Sequence, residues 1–234
     1  MTNVRRSSPV GLAMRSVAMA LVAWLLLSVG AVLVLRFVPP PFTAMMLEQP
    51  RPIREIQYEW RDRRELAATV ARAVIASEDQ RFLAHHGFDF DQLQIALDEH
   101  RAGDELRGAS TITQQVAKNL FLWSGRSFVR KGLEAYFTVL LEACWPKQRI
   151  LEVYLNVAEL GDGVFGVEAA ARRFFGVSAS ALSAEQAALL AAVLPNPRKL
   201  LADRPSSYVR SRQSWILGQM RLLETRGHYR GLGW

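Results

Sequence analysis

Apolar residues recur along this chain at intervals of three and four, the spacing of helices that bury one face. Leu66, Val70 and Val74 form one such series, followed by Leu93 and Leu97, by Ile112, Val116 and Leu120, and by Leu133, Phe137 and Leu140. Ile150, Leu151, Tyr154 and Leu155 continue the pattern, and a last amphipathic stretch carries Trp215, Leu217, Met220, Leu222 and Leu223. No segment alternates convincingly as a half-buried strand would. Helix punctuation agrees. Ser110 is a candidate N-cap, Ser183 and Gln186 form a capping box ahead of the apolar run Ala187 to Leu194, and Pro195 and Pro197 end that run. The pattern predicts an all-α domain of about ten helices.

Ahead of that domain, Ser16 to Leu35 is a run of twenty residues without a charge. As a helix it spans roughly 30 Å, the thickness of a bilayer's hydrocarbon core. Arg5, Arg6 and Arg15 precede it and no acid occurs before Glu48, so the positive-inside rule predicts residues 1–15 in the cytoplasm and everything after Arg36 outside. A cleaved signal peptide is the competing reading. The apolar stretch exceeds the usual signal-peptide core, and no clean small-x-small cleavage site precedes Pro39, so residues 16–38 are expected to be an uncleaved anchor. The prolines at 39, 40, 41, 50 and 52 predict an extended connector over 39–53, with the globular domain over 54–234.

Composition sharpens this picture. Of 234 residues, 50% are hydrophobic and 22% charged, which suits a real core and excludes disorder. The net charge of +7 rests on 29 basic residues, all but four of them arginine, and points to an anionic partner. A domain outside the membrane argues against nucleic acid as that partner. One cysteine, Cys144, excludes an intrachain disulfide framework and a multi-cysteine zinc site; flanked by apolar residues, it is expected to be a buried, inert thiol. Neither His85 nor His86 has metal-binding spacing.

Candidate chemistry lies in three segments. If the helix carrying Val70 and Val74 continues one turn, Glu78 falls on its apolar stripe, where partial desolvation would suit a general base; the alternative is an exposed residue at a frayed helix end. Asp79 beside it adds a like charge or holds the site by hydrogen bonds, and His85 and His86 could anchor the loop before Gly87. In the second segment, a helix starting near Ser110 buries Ile112, Val116 and Leu120 and gathers Ser110, Thr111, Gln114, Gln115 and Lys118 on its other side. Hydroxyls, amides, one cation and a helix N-terminus suit a sugar or an anion, against the plainer reading of a solvated face. Leu120 to Trp123 would close that helix as core or as an exposed apolar lip. The third segment spaces Arg126, Arg130 and Glu134 four apart, with Lys131 three before Glu134. The cations could clamp a pyrophosphate while Glu134 orients them or holds a divalent ion; a surface ion pair is the alternative. Asn156 and Glu159 read as groove residues or helix-end caps, and Gly161, Gly163 and Gly166 as turn glycines.

Five segments together resemble one family. EDQRFLAHHG (78–87), GASTITQQVAKN (108–119), RKGLE (130–134), KQRILEVYLN (147–156) and AALLAAVLPNP (187–197) are similar, in this order, to the motifs of the glycosyltransferase family 51 peptidoglycan glycosyltransferases, in particular the monofunctional biosynthetic transglycosylases. The sequence ends at Trp234 without the transpeptidase domain of the bifunctional penicillin-binding proteins, so a monofunctional enzyme is expected. The resemblance implies a lysozyme-like helical domain with a small membrane-proximal jaw subdomain, on a single N-terminal transmembrane helix, facing outward from the bacterial cytoplasmic membrane. It implies polymerisation of lipid II into glycan strands, with Glu78 as base and Glu134 as second glutamate towards the donor pyrophosphate. Asp79 would support the site, Ser110, Thr111, Gln114 and Gln115 would line the groove, and Lys118, Arg126, Arg130 and Lys131 would offset charge on the leaving group. A divalent cation, magnesium or manganese, is an expected assistant, with a basic side chain as the alternative. Other cell-wall synthesis or division proteins are expected partners. A lysozyme-like hydrolase or lytic transglycosylase is the rival activity, and a non-catalytic tethered scaffold the rival class.

Overall fold

A computed structural model describes residues 9–101, 110–125 and 127–234; Arg5, Arg6 and Arg126 lie outside the described residues. The chain divides into two units between Val38 and Pro39. The first holds α1 (Pro9–Leu35). Its stretch Ala13–Leu35 is 23 residues long and apolar enough to cross a membrane. At 1.5 Å per residue that is about 34 Å.

The second unit begins earlier than the prolines suggest. Residues 39–53 carry a short helix, α2 (Ala44–Leu47), whose N-cap Thr43 accepts the Met46 amide through Oγ1. Met46 is buried, and Tyr58 donates to the Pro40 carbonyl at 2.7 Å. A large apolar side chain is more stable under cover than on a solvated linker, so the segment folds onto the domain instead of spacing it.

Three short strands follow in part: β1 (Gln57–Tyr58), β2 (Glu159–Gly161) and β3 (Val164–Phe165) make a sheet of order β1-β3-β2. The first pair is parallel, and the β2–β3 hairpin is antiparallel. Strands of two or three residues are too short to display alternation, which is why the periodicity leaves them unseen. Gly163 and Gly166 have positive φ, as turn glycines do; a Cβ on Gly166 would meet the Asn156 carbonyl oxygen at 2.5 Å.

The helices of the domain are α3 (Ala68–Glu78), α4 (Phe90–Arg101), α5 (Ile112–Phe121), α6 (Phe128–Cys144), α7 (Lys147–Val157), α8 (Val167–Phe175), α9 (Ala184–Val193) and α10 (Ser207–Thr225). With α2 they make nine α-helices in this unit among the described residues. The most apolar of them, α9, is buried from Ala187 to Val193 and packs against both α3 and α10. After its polar first turn α9 is apolar all round, which belongs in a core, and its Ser183–Gln186 capping box forms as the spacing predicts. A second cluster packs α5 against α2, α6 and α7.

Several local expectations shift. The N-cap of α5 is Thr111 rather than Ser110, with Gln114 completing a capping box. On α10 the buried stripe is Val209, Gln213, Ile216, Met220 and Leu223, which leaves Trp215 and Leu222 exposed. At the end of α5, Leu120 and Leu122 are core, Phe121 stacks on Phe137 with centroids 4.3 Å apart, and only Trp123 is exposed. Cys144 ends α6 as a free, half-buried thiol.

Asn156 is no groove residue. Fully buried, it accepts the Arg61 amide at 2.8 Å and donates to the Arg61 and Glu152 carbonyls, clasping the segment before α3 onto α7. Beside it, Glu168 of α8 accepts from Arg61, from Arg172 at 2.7 Å and from the Ala179 amide at 2.7 Å. Burial pushes the Glu168 carboxyl up, but these hydrogen bonds and the two guanidinium charges outweigh it and hold it below its ordinary value. A carboxyl with a lowered folded-state pKa contributes stability that is complete above its unfolded pKa and disappears as pH falls through the folded one. Glu168→Gln is therefore expected to lower the melting temperature at pH 7, with the gap to the parent closing as the pH falls below about 4, read by thermal unfolding in detergent across pH.

Candidate active site

The site begins where α3 ends. Glu78 is its last residue, and the C-cap Asp79 leaves helical geometry (φ −161°, ψ 75°), so two adjacent carboxylates diverge. Asp79 turns inward and is buried. Its Oδ2 accepts the Ile112 amide at 3.0 Å, at the start of α5, and its Oδ1 lies 2.8 Å from His85 Nε2. The Gly87 amide donates to His85 Nδ1, so the imidazole proton sits on Nε2 and is donated to Asp79. Gly87, at φ +86°, packs where a Cβ would strike Thr138, and its carbonyl accepts from Thr111 Oγ1 at 2.7 Å. Asp79 thus supports the site by hydrogen bonds, and His85 anchors the loop while His86 is exposed.

Glu78 turns the other way, its side chain 14% exposed. Oε1 accepts from Ser77 Oγ at 2.9 Å and lies 3.6 Å from Arg212 Nη2; Oε2 accepts from Gln115 Nε2 at 3.1 Å. It is neither frayed nor sealed: the carboxylate is held by three groups and still open to a ligand.

The helix α5 carries the site onward. Gln115 reaches Glu78, and Lys118, one turn and about 4.5 Å further along the axis, lies in the field of Glu134, Arg130 and Lys131. Glu134 is buried at 3% exposure, far from a surface ion pair. Its Oε2 accepts from Arg130 at 2.7 Å, and its Oε1 pairs with Lys131. Three cations around one carboxylate leave a net positive site. Burial pulls the Lys118 ammonium below the ordinary lysine range, Glu134 pulls it back up, and Arg130 and Lys131 add to the lowering. Past this cluster, Met45, Gln49, Asn196 and the Glu159–Arg198 ion pair help to line an open cavity of about 360 Å³.

Of the sequence-predicted residues, Glu78, Asp79, Thr111, Gln114 and Gln115 come together at one end of α5, and Lys118, Arg130, Lys131 and Glu134 at the other. Thr111 and Gln114 are buried and form the capping box of α5. Ser110 is exposed. Periodicity misses Ser77, Arg212 and Tyr154. Arg212 is one arginine among many in the sequence and carries no local signal; Tyr154 on a core stripe does, because a buried phenol needs a hydrogen-bond partner.

The divalent cation suggested by the resemblance can be tested against these donors. Both oxygens of Glu134 already hold cationic side chains. Among the described residues, Asp79, His85 and Asp89 bring potential ligand atoms within 4.8 Å of one another. Both nitrogens of His85 and both oxygens of Asp79 are in protein hydrogen bonds, and Asp89 Oδ1 takes Arg81 and the Gln92 amide, which leaves Asp89 Oδ2 as the uncommitted atom. An ion at either set would have to displace protein hydrogen bonds or ion pairs present here.

One helix, α5, thus ties a partly exposed carboxylate at one end to a cluster of cations around a buried carboxylate at the other. Residues 46–221 match the transglycosylase family. The chain is 58% identical over 212 residues to the biosynthetic peptidoglycan transglycosylase of Stutzerimonas stutzeri, covering 87% of each chain. It is 57% identical to that of Chromohalobacter salexigens, over 90% of this chain and 92% of the relative. It is 52% identical to that of Pseudomonas syringae pv. syringae, over 94% and 95%. The chain belongs to the transglycosylase family.

The Asp79 network makes a direct prediction. Asp79→Asn turns an acceptor into a donor against the Ile112 amide or His85, and should cost about 2 kcal/mol and shift the melting temperature down by about 5 °C. EDTA should leave the parent's melting temperature unchanged.

Proposed function

We propose that this enzyme, a peptidoglycan glycosyltransferase of cell-wall synthesis, polymerises lipid II, with Glu78 as the general base. The observation that carries the reading is the open Glu78 carboxylate joined through α5 to the cationic pocket of Lys118, Arg130, Lys131 and Glu134. A base and a separate site for negative charge are what glycosyl transfer from a pyrophosphate donor requires. Glu78 takes the proton from the 4-hydroxyl of the acceptor's N-acetylglucosamine as that oxygen attacks the donor's anomeric carbon. The bond to undecaprenyl pyrophosphate breaks with inversion, and the leaving group carries away the electron pair. Lys118, Arg130 and Lys131 meet the charge that builds on the pyrophosphate, preorganised by Glu134. A hydrolase acting on a neutral glycan has no such use for these cations.

Topology supports the same substrate. With Arg5, Arg6 and Arg15 on the cytoplasmic side, α1 crosses the inner membrane once and presents the domain on the outer side, beside a lipid-linked donor.

Solubilised full-length protein incubated with labelled lipid II should yield long glycan strands on electrophoresis, and Glu78→Gln should lower the rate by at least about 10²-fold. Unchanged lipid II together with shortening of preformed glycan would replace this reading with a hydrolytic one. The lowered Lys118 pKa sets a second expectation. Activity should decline on the alkaline side below the range of an ordinary lysine; Lys118→Arg should move that decline to higher pH, and Lys118→Met should lower kcat/KM by about 10²-fold.

A further inference from the structure

Tyr154 is 1% exposed, so its hydroxyl cannot reach a substrate, yet it ends a chain of hydrogen bonds that leads to the base. Its Oη donates to Gln115 Oε1 at 3.0 Å, and Gln115 Nε2 donates to Glu78 Oε2 at 3.1 Å. Gln115 Oε1 is the acceptor for this phenol among the described residues. Burial, and after it the Glu78 and Asp79 carboxylates, hold the phenol well above its ordinary range, so it remains a donor.

An amide can reverse, and the consequences of reversal differ at the two ends. With Glu78 ionised, the observed arrangement satisfies every group. With Glu78 protonated, its O–H could donate to a reversed Gln115 Oε1 while Nε2 turned to Tyr154, but the phenolic hydrogen would then be buried without an acceptor. Leaving a buried donor unsatisfied is costly. We infer that Tyr154 is a positioning residue that locks the polarity of Gln115, so that Glu78 faces an N–H donor and is kept as the carboxylate that a base must be. The inference rests on the reading of Glu78 as the base. The other titratable groups around Glu78 are Arg212 from α10, which also favours the carboxylate, and its neighbour Asp79, whose charge is spent on Ile112 and His85. Gln115 accordingly serves the base first, whatever it also offers a sugar.

The test uses Tyr154→Phe in the full chain. Carboxyl carbon-13 resonances, with Glu78 assigned by its loss in Glu78→Gln, should titrate with a midpoint about half a pH unit or more above the parent's. On lipid II, kcat should fall by about three- to tenfold with KM unchanged, and the acid limb of the pH profile should move the same way. Gln115→Met removes both polar ends at similar length and should give a comparable midpoint shift, so a poorly folded Tyr154→Phe does not end the test. Adding Tyr154→Phe to Gln115→Met should not move the Glu78 midpoint further, because the phenol acts through the amide. An unchanged Glu78 midpoint in the single variants, or a further midpoint shift in the double variant, would overturn the inference. If the midpoint moves but the parent builds no strands, the lock stands and the assignment of Glu78 as a polymerase base fails.

Discussion

The rest of the site depends on the divergence of two neighbouring carboxylates at the end of α3. Asp79, buried, accepts hydrogen bonds from the first amide of α5 and from His85, so the N-terminus of one helix is fastened to the C-terminus of another. An unsatisfied buried carboxylate would be expensive, and two donors with good geometry remove that cost while fixing the position of α5. Because Glu78 is the preceding residue, fixing Asp79 also aims Glu78. The charge that builds the scaffold and the charge offered to a ligand are one peptide bond apart.

From that fastening, α5 acts as a rail. One end is pinned by Asp79 and by the Thr111–Gln114 capping box, and the walls are supplied by α2, α6 and α7. Gln115 then faces Glu78 and Lys118 faces the Glu134 cluster, at a separation set by helix geometry rather than by flexible loops. Glu134 is buried and paired with both Arg130 and Lys131, and losing those partners would leave a buried charge uncompensated.

The same economy explains where the polar residues of α5 go. A helix with solvent on one face would leave Thr111, Gln114 and Gln115 free to bind a sugar. Here α5 is covered on more than one side, Thr111 and Gln114 engage each other in the capping box, and Gln115 is held at both ends. Binding capacity on this helix is concentrated in what the fold leaves open.

Much of the architecture was legible in the sequence. The apolar run before Leu35, the series at Val70 and Val74 and at Ile112, Val116 and Leu120, and the apolar run Ala187 to Val193 of α9 each follow from local patterning, which needs no partner to be read. Glu78 stood out because a carboxylate on a core stripe is unusual, Lys118 by its place among the polar residues of its helix, and Arg130, Lys131 and Glu134 by their three- and four-residue spacing. Tertiary structure alone decided the rest. That Met46 folds onto the domain, that Asp79 is a fastener, and that Tyr154 and Arg212 come to Gln115 and Glu78 all depend on contacts between segments far apart in the chain. Periodicity reports which face of an element is buried; it carries no information about which donor from another element will meet a given acceptor, and in this protein those meetings make the site.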